Sequence, residues 1–152
     1  MTETTKRLEE LLKTGLAYLV NASEAELKYQ RAPGKWSKQE LLGHLIDSGM
    51  NNLQRFTEIQ FAEKPYKIRK YNQDELVLAN DYQHADISEL AEFWLALNRR
   101  IAIIMQQQTE ETLSFAIGLP DGQLSDLRFL MVDYVDHLEY HVKQILTELP
   151  QS

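Results

Sequence analysis

Apolar residues recur every three or four positions in four segments of this chain, the spacing that puts them on one face of an α-helix. The pattern predicts helices at about 3–21, 37–62, 87–108 and 125–148. The stripe of the first helix consists of Leu8, Leu11, Leu12, Leu16 and Leu19. Each helix has one apolar face to bury, so the pattern favours four helices packed around a common core.

Capping signals support the starts of two of these helices. Ser37 is a good N-cap, and Glu40 three residues later completes a capping box. Trp36 and Leu41 flank this box with the spacing of a hydrophobic staple. Asp86 is placed to cap the third helix. The second helix therefore has a well-defined predicted start.

The connections between the helices differ in length. Residues 22–36 form a moderate loop, and the last connection contains the turn sequence LPDG, with at most a short hairpin in 112–124. The connection 63–85 is long and contains a predicted short helix near 73–80. A link of that length lets the third helix run parallel to the second. We predict one all-α domain over 1–152, a four-helix bundle with a long crossover between helices two and three.

Composition limits the classes of function. The net charge is −7, and the one basic cluster, KPYKIRKY at 64–71, fits a solvated loop, so no nucleic-acid partner is expected. No apolar run reaches the roughly 18 residues that a membrane span needs, so no membrane partner is expected. The segment MTETTKRLEELLK lacks the apolar region of a signal peptide, which predicts a cytoplasmic location. Since there is no cysteine, a catalytic thiol would have to come from a ligand or substrate.

The four histidines are the candidate functional residues. His137 and His141 are four residues apart in the fourth helix, so both rings leave the same face. A helical wheel puts them, and His44 of the second helix, on half-exposed borders of the apolar faces. These borders are either ordinary surface, or they face each other and offer three imidazoles plus water to one metal ion. His84 has no spaced partner and is predicted to be a solvated loop residue, not a ligand.

Three acids are spaced to support such a site. Asp47 follows His44 by three residues, Asp133 precedes His137 by four, and Asp136 is adjacent to His137. A metal-bound histidine usually donates its second N–H to a carboxylate or a carbonyl group. The three acids are therefore candidate hydrogen-bond partners of the ligands, or else ordinary surface acids.

Two stretches resemble the DinB/YfiT-like superfamily of metal-binding four-helix bundles: GKWSKQELLGHLIDSGMNNLQRF at 34–56 and HLEYH at 137–141. In that family a Trp-Ser pair opens the second helix, an HL.D motif and an Arg follow, and an H-x-x-x-H pair lies in the last helix. The matching residues here are Trp36, Ser37, His44, Asp47, Arg55, His137 and His141. The segment YNQDELVLANDY at 71–82 is also similar to one common in these proteins. The resemblance implies an up-down-down-up bundle in which the three histidines hold a divalent metal, commonly zinc or nickel.

The resemblance also implies candidate chemistry. Some members of the family transfer a low-molecular-weight thiol, of the bacillithiol, mycothiol or glutathione type, to a small electrophile. Others are described as metal-dependent hydrolases, in which water takes the open metal position. A non-enzymatic metal-binding bundle is a third interpretation, and a homodimer is left open. Arg55 would contact a substrate or thiol carboxylate, or else form an ion pair between the second helix and a neighbour.

Overall fold

The computed structural model describes residues 1–149. Its helices, in chain order, are α1 (Thr2–Asn21), α2 (Glu24–Lys28), α3 (Lys38–Glu58), α4 (Gln73–Asn80), α5 (Ile87–Gln106), α6 (Glu110–Leu113) and α7 (Leu127–Leu146). Three short strands complete the structure: β1 (Tyr66–Lys67), β2 (Ala116–Gly118) and β3 (Leu124–Asp126). The four long helices are α1, α3, α5 and α7, and they match the four predicted helices.

The long helices form a four-helix bundle with a long crossover from α3 to α5, which confirms the predicted fold class. α1 and α3 each pack against both α5 and α7. The core includes Trp94, Phe56, Leu8, Ile101 and Met105, each at most 1% exposed. The apolar stripes seen in the sequence therefore face one shared interior.

Some boundaries differ from the prediction. α3 ends at Glu58 instead of continuing to about 62. The predicted loop 22–36 contains α2, and α6 follows α5; neither short helix was predicted. Both are capped locally, by Ser23 accepting from the Glu26 amide and by a Thr109–Thr112 capping box. Helices of one turn are too short to show an apolar period, so only their caps could have indicated them.

The small sheet is only partly as expected. β2 and β3 pair antiparallel as a hairpin, in the region where a short hairpin was allowed. β1, from the crossover, adds to this hairpin in parallel, with Tyr66 opposite Ile117. This third strand was not predicted, because its pairing partner lies about fifty residues away and two residues carry no alternating pattern.

The end of the crossover is fastened to the first half of α3. The Gln39 side-chain amide donates to the carbonyls of Tyr82 (2.6 Å) and Ala85 (2.7 Å). The Tyr82 ring lies so close to Gly43 that an added Cβ would be 2.0 Å from the tyrosine Cδ2 atom. Only glycine permits this approach. The end of the crossover, which includes a short 3-10 helix at Tyr82–His84, therefore packs on the part of α3 that carries His44.

Within residues 1–149, no helix combines the length and the apolar character needed to cross a membrane.

Candidate metal centre

Three histidines from two helices meet at one point of the bundle. His44 comes from α3, and His137 and His141 come from successive turns of α7. One ring nitrogen of each lies within 4.8 Å of the others, and the Nε2 atoms of His44 and His137 are 3.2 Å apart. Nitrogens bound to one tetrahedral zinc ion at about 2.0–2.1 Å would be about 3.3 Å apart. The three rings could hold one metal ion without rearrangement of the helices.

The burial of the three rings corrects one expectation. His137 and His141 are half-buried, as predicted, but His44 is fully buried and does not lie on an exposed border. The centre of the Trp36 ring lies 4.9 Å from the centre of the His44 ring. The His141 ring packs edge-on against His44, with its centre 4.7 Å from that of His44. A helical wheel considers α3 alone. The His44 ring is covered by residues outside that helix, namely Trp36 before it and His141 of α7.

Burial keeps the three imidazoles neutral. Desolvation lowers the pKa of His44 to about 4, with further lowering by His141 and His137. Desolvation and the neighbouring His141 also lower the pKa of His137 to about 4. Desolvation lowers the pKa of His141, opposed by its hydrogen bond to Gln144. A neutral imidazole has the free lone pair that a metal needs, so near pH 7 no proton must be displaced.

Gln144 is a site residue that the sequence analysis missed. Its side-chain oxygen lies 2.7 Å from His141 Nδ1 and accepts a hydrogen bond from that nitrogen. This bond fixes the tautomer with the proton on Nδ1, which leaves Nε2 free for a metal. Gln144 follows His141 by three residues on the same helix face, so the spacing could have indicated this contact. The residue is an amide, whereas the expected hydrogen-bond partners were acids.

Asp47 is buried beside His44. Its Oδ1 accepts from the Tyr82 hydroxyl (2.6 Å) and from the Asn80 side chain (3.3 Å). Its Oδ2 has no hydrogen-bond partner among the described residues, and neither has the buried Nδ1 of His44. Desolvation raises the pKa of this carboxyl, and the Tyr82 hydrogen bond opposes that change. Tyr82 and Asn80 were not anticipated, because they belong to the crossover and reach Asp47 only in the folded chain.

The other two candidate acids, Asp133 and Asp136, are exposed, whereas Asp47 is buried. Asp136 is exposed and forms an ion pair with Arg7 of α1 (2.6 Å), so the structure gives this carboxylate a different partner from the one expected. Adjacent residues of a helix point about 100° apart, which turns Asp136 toward α1 and away from the His137 ring. Asp133 is exposed, and within residues 1–149 it makes no hydrogen bond to a histidine.

Arg55 and His84 lie apart from the three rings. Arg55 is eleven residues beyond His44, about 16 Å along the helix axis. Its guanidinium donates to the Arg69 carbonyl and lies over the Tyr71 ring at 5.6 Å. No carboxylate of the described residues pairs with it, and a substrate contact stays a prediction. His84 is 76% exposed and is paired with Asp81.

A cavity of about 560 Å³ opens next to the rings. His141 and Trp36 form part of its wall, together with Leu41 and Tyr140. An outside ligand can therefore reach His141 from this side.

Comparison with known proteins agrees with this architecture. YfiT from Bacillus subtilis, described as a probable metal-dependent hydrolase with an unusual four-helix bundle topology, is similar with a TM-score of 0.84. The two chains are 23% identical, and the match covers 95% of this chain and 82% of YfiT.

A mycothiol-dependent maleylpyruvate isomerase is similar with a TM-score of 0.75 and 11% identity. The match covers 96% of this chain and 60% of the isomerase. A histidine-to-alanine mutant of that isomerase gives the same TM-score. At these identities the likenesses show a shared fold. No curated protein sequence matches this chain.

The sequence model of the DinB superfamily matches residues 4–145, which include all three histidines. The chain belongs to the DinB superfamily.

Proposed function

We propose that this protein is a metal-dependent enzyme that transfers a low-molecular-weight thiol to a small electrophile. His44, His137 and His141 would bind one divalent ion, zinc or nickel. The observation that carries the proposal is the convergence of three neutral imidazoles, one of which, His141, lines an open cavity. Three protein ligands leave a fourth position free, which is the arrangement of catalytic and not of structural zinc sites.

A divalent ion in this site would lower the pKa of a bound thiol and so supply a thiolate nucleophile near pH 7. The chain has no cysteine, so the thiol must come from outside. The cavity is large enough for a molecule of the bacillithiol, mycothiol or glutathione type. The likeness to a mycothiol-dependent isomerase is consistent with this choice, although it shows only the fold.

The residues around the rings would orient them. Gln144 holds the Nδ1 proton of His141. Asp47 would accept the Nδ1 proton of His44, because both atoms are buried and lack another partner among the described residues. Trp36 covers the His44 ring and limits the access of water to it.

The second candidate is a hydrolase in which water takes the fourth position. The likeness to YfiT, a probable metal-dependent hydrolase, favours keeping it as the alternative. A metal-binding bundle without activity is the third.

A fluorogenic electrophile such as monochlorobimane separates these functions. We expect zinc- or nickel-loaded protein to accelerate its conjugation with at least one of glutathione, bacillithiol and mycothiol. The acceleration should disappear with a chelator and return with added metal. Transfer that survives complete metal removal would contradict the proposal, and turnover of an ester or amide without thiol would favour the hydrolase.

A further inference from the structure

Three segments form most of the lining of the cavity beside the candidate metal centre, and the start of α3 adds Lys38 and Leu41. The loop 29–36 forms one wall, the start of α4 forms the second, and the end of α7 forms the third. His141 belongs to the third wall, so a molecule in the cavity can reach the proposed metal position. Its volume, about 560 Å³, is within the range of small-ligand sites, about 300–1,000 Å³.

The loop wall carries two cations without carboxylate partners. Arg31 and Lys35 both line the cavity and are exposed. Neither forms an ion pair with any carboxylate in residues 1–149. A tight turn, closed by the Lys35 amide and the Ala32 carbonyl at 3.1 Å and with Gly34 at φ 81°, lies between the two side chains. In a chain of net charge −7, this wall is a local positive region.

Lys38 also lines the cavity, but its ammonium group already has partners within the protein. Its Nζ donates to the Thr147 carbonyl at 2.6 Å and lies 3.6 Å from a Glu26 carboxylate oxygen. Lys38 therefore fastens α3 to α2 and to the end of α7. Only Arg31 and Lys35, among the described cations of this cavity, are free for a ligand.

The other two walls carry negative charge. Asp74 lies at the start of α4, and Glu148 follows α7. A carboxylate entering the cavity would be repelled by both and attracted to the loop wall. The charge distribution therefore gives an anionic ligand one preferred orientation.

We propose that Arg31 and Lys35 bind a carboxylate of the small molecule that occupies this cavity, so that the thiol used by the protein is an anionic one. The proposal deepens the proposed function and rests on it. An arginine offers a planar fork that matches a carboxylate, and a lysine adds a mobile point charge. The loop would hold the anionic end of the thiol while its sulfur points toward His141.

Calorimetric titration of metal-free protein tests the recognition of the anion separately from metal binding. The probes are S-methylglutathione and its diethyl ester, which share a skeleton and lack a free thiol but differ in their two carboxylates. We expect S-methylglutathione to bind about tenfold more tightly than the ester at low salt, because two exposed ion pairs contribute about that much. Raising the salt concentration should reduce the difference.

The matched variants are Arg31→Gln with Lys35→Gln, and Lys13→Gln with Arg100→Gln. Both double changes remove two positive charges, but Lys13 and Arg100 are exposed and do not line the cavity. We expect the first pair to bring the affinity ratio of the two probes to about one and the second pair to leave it unchanged. Equal binding of both probes to the wild type would overturn the proposal. So would an affinity ratio that falls in Arg55→Gln but not in the Arg31→Gln and Lys35→Gln double variant.

A nickel titration of the same preparations keeps the two proposals separate. If nickel binds but the probes are not discriminated, the anion proposal fails alone. If nickel does not bind, the proposed function fails, and the titration of metal-free protein still decides whether the loop recognises a carboxylate.

Discussion

At the scale of single residues, the three histidines differ in what surrounds them. His44 is enclosed by Trp36 and by the two α7 rings, whereas His137 and His141 are half-buried and His141 lines the cavity. A substitution at His44 therefore affects packing as well as metal binding. The half-exposed position that the helical wheel predicts for His44 is wrong, so His44→Ala would also leave a space in the packed interior.

Removal of a ring from α7 should abolish metal binding. We expect His137→Ala and His141→Ala to reduce nickel or zinc affinity at least about 100-fold, because two imidazoles cannot complete the site. His84→Ala is the control, since this exposed ring is paired with Asp81 and lies outside the cluster. Metal content after dialysis against a buffered metal solution measures the effect. An equal loss in His84→Ala would contradict the assignment.

The depressed histidine pKa values predict how the metal-free protein responds to acid. Burial lowers the pKa of His44 and of His137 from the ordinary histidine value of 6.5 to about 4, so between these two values the unfolded chain binds more protons than the folded one. The free energy of unfolding is therefore unaffected by these rings above pH 6.5 and falls as the pH drops toward 4. The slope approaches about 1.4 kcal/mol per pH unit for each proton.

Urea unfolding at pH 7 and at pH 5 measures this loss. Carboxylates also titrate in this range, so the loss in free energy of unfolding between pH 7 and pH 5 is compared between the wild type and His137→Gln. The variant should lose less stability than the wild type. If His137→Gln loses as much as the wild type, burial does not hold that ring neutral.

At the scale of elements, the crossover segment packs against the part of α3 that carries His44 of the candidate metal centre. Gln39 binds its backbone, Gly43 makes room for the Tyr82 ring, and Tyr82 and Asn80 hold one oxygen of Asp47. The other oxygen of Asp47 and the Nδ1 atom of His44 lie on the same helix, three residues apart, without partners among the described residues. The crossover therefore fixes the Asp47 carboxyl group, which we propose as the acceptor of the His44 Nδ1 proton.

We expect Asp47→Asn and Tyr82→Phe to weaken metal binding by about 10–100-fold, the usual effect of losing a partner of a metal-bound histidine. Asp47→Asn should have the larger effect, because it changes the acceptor itself. A competition titration with a chromophoric chelator gives the affinities. Tyr66→Phe is the matched control, since its hydroxyl binds Glu58 at the other end of α3. Unchanged affinity in both test variants would show that Asp47 has only a packing role.

At the scale of the whole molecule, the centre joins two helices that are far apart in sequence. His44 is on α3, and the other two rings are on α7, so a bound ion would link the second and fourth long helices. The unfolded chain does not hold these residues together, and binding should therefore stabilise the folded state.

We expect free nickel or zinc at 100 times its dissociation constant to raise the free energy of unfolding by about 2.7 kcal/mol. Thermal unfolding followed by circular dichroism, with and without metal, would show the corresponding increase in Tm. His141→Ala should show no increase at the same metal concentration. A metal-dependent rise of the same size in that variant would place the ion elsewhere. A cytoplasmic location stays a prediction from the sequence, and a homodimer stays open.

The sequence by itself determined the bundle. The apolar periodicity, the Ser37 capping box and the i, i+4 histidine pair act within one helix, so they can be seen in a short window of residues. The family resemblance, confirmed by the match over residues 4–145, supported the grouping of His44 with that pair. The tertiary structure alone decided what surrounds the rings. Segments that meet only after folding bury His44, bring the Tyr82 hydroxyl to Asp47 and place the two cations at the cavity. No local sequence pattern encodes such contacts.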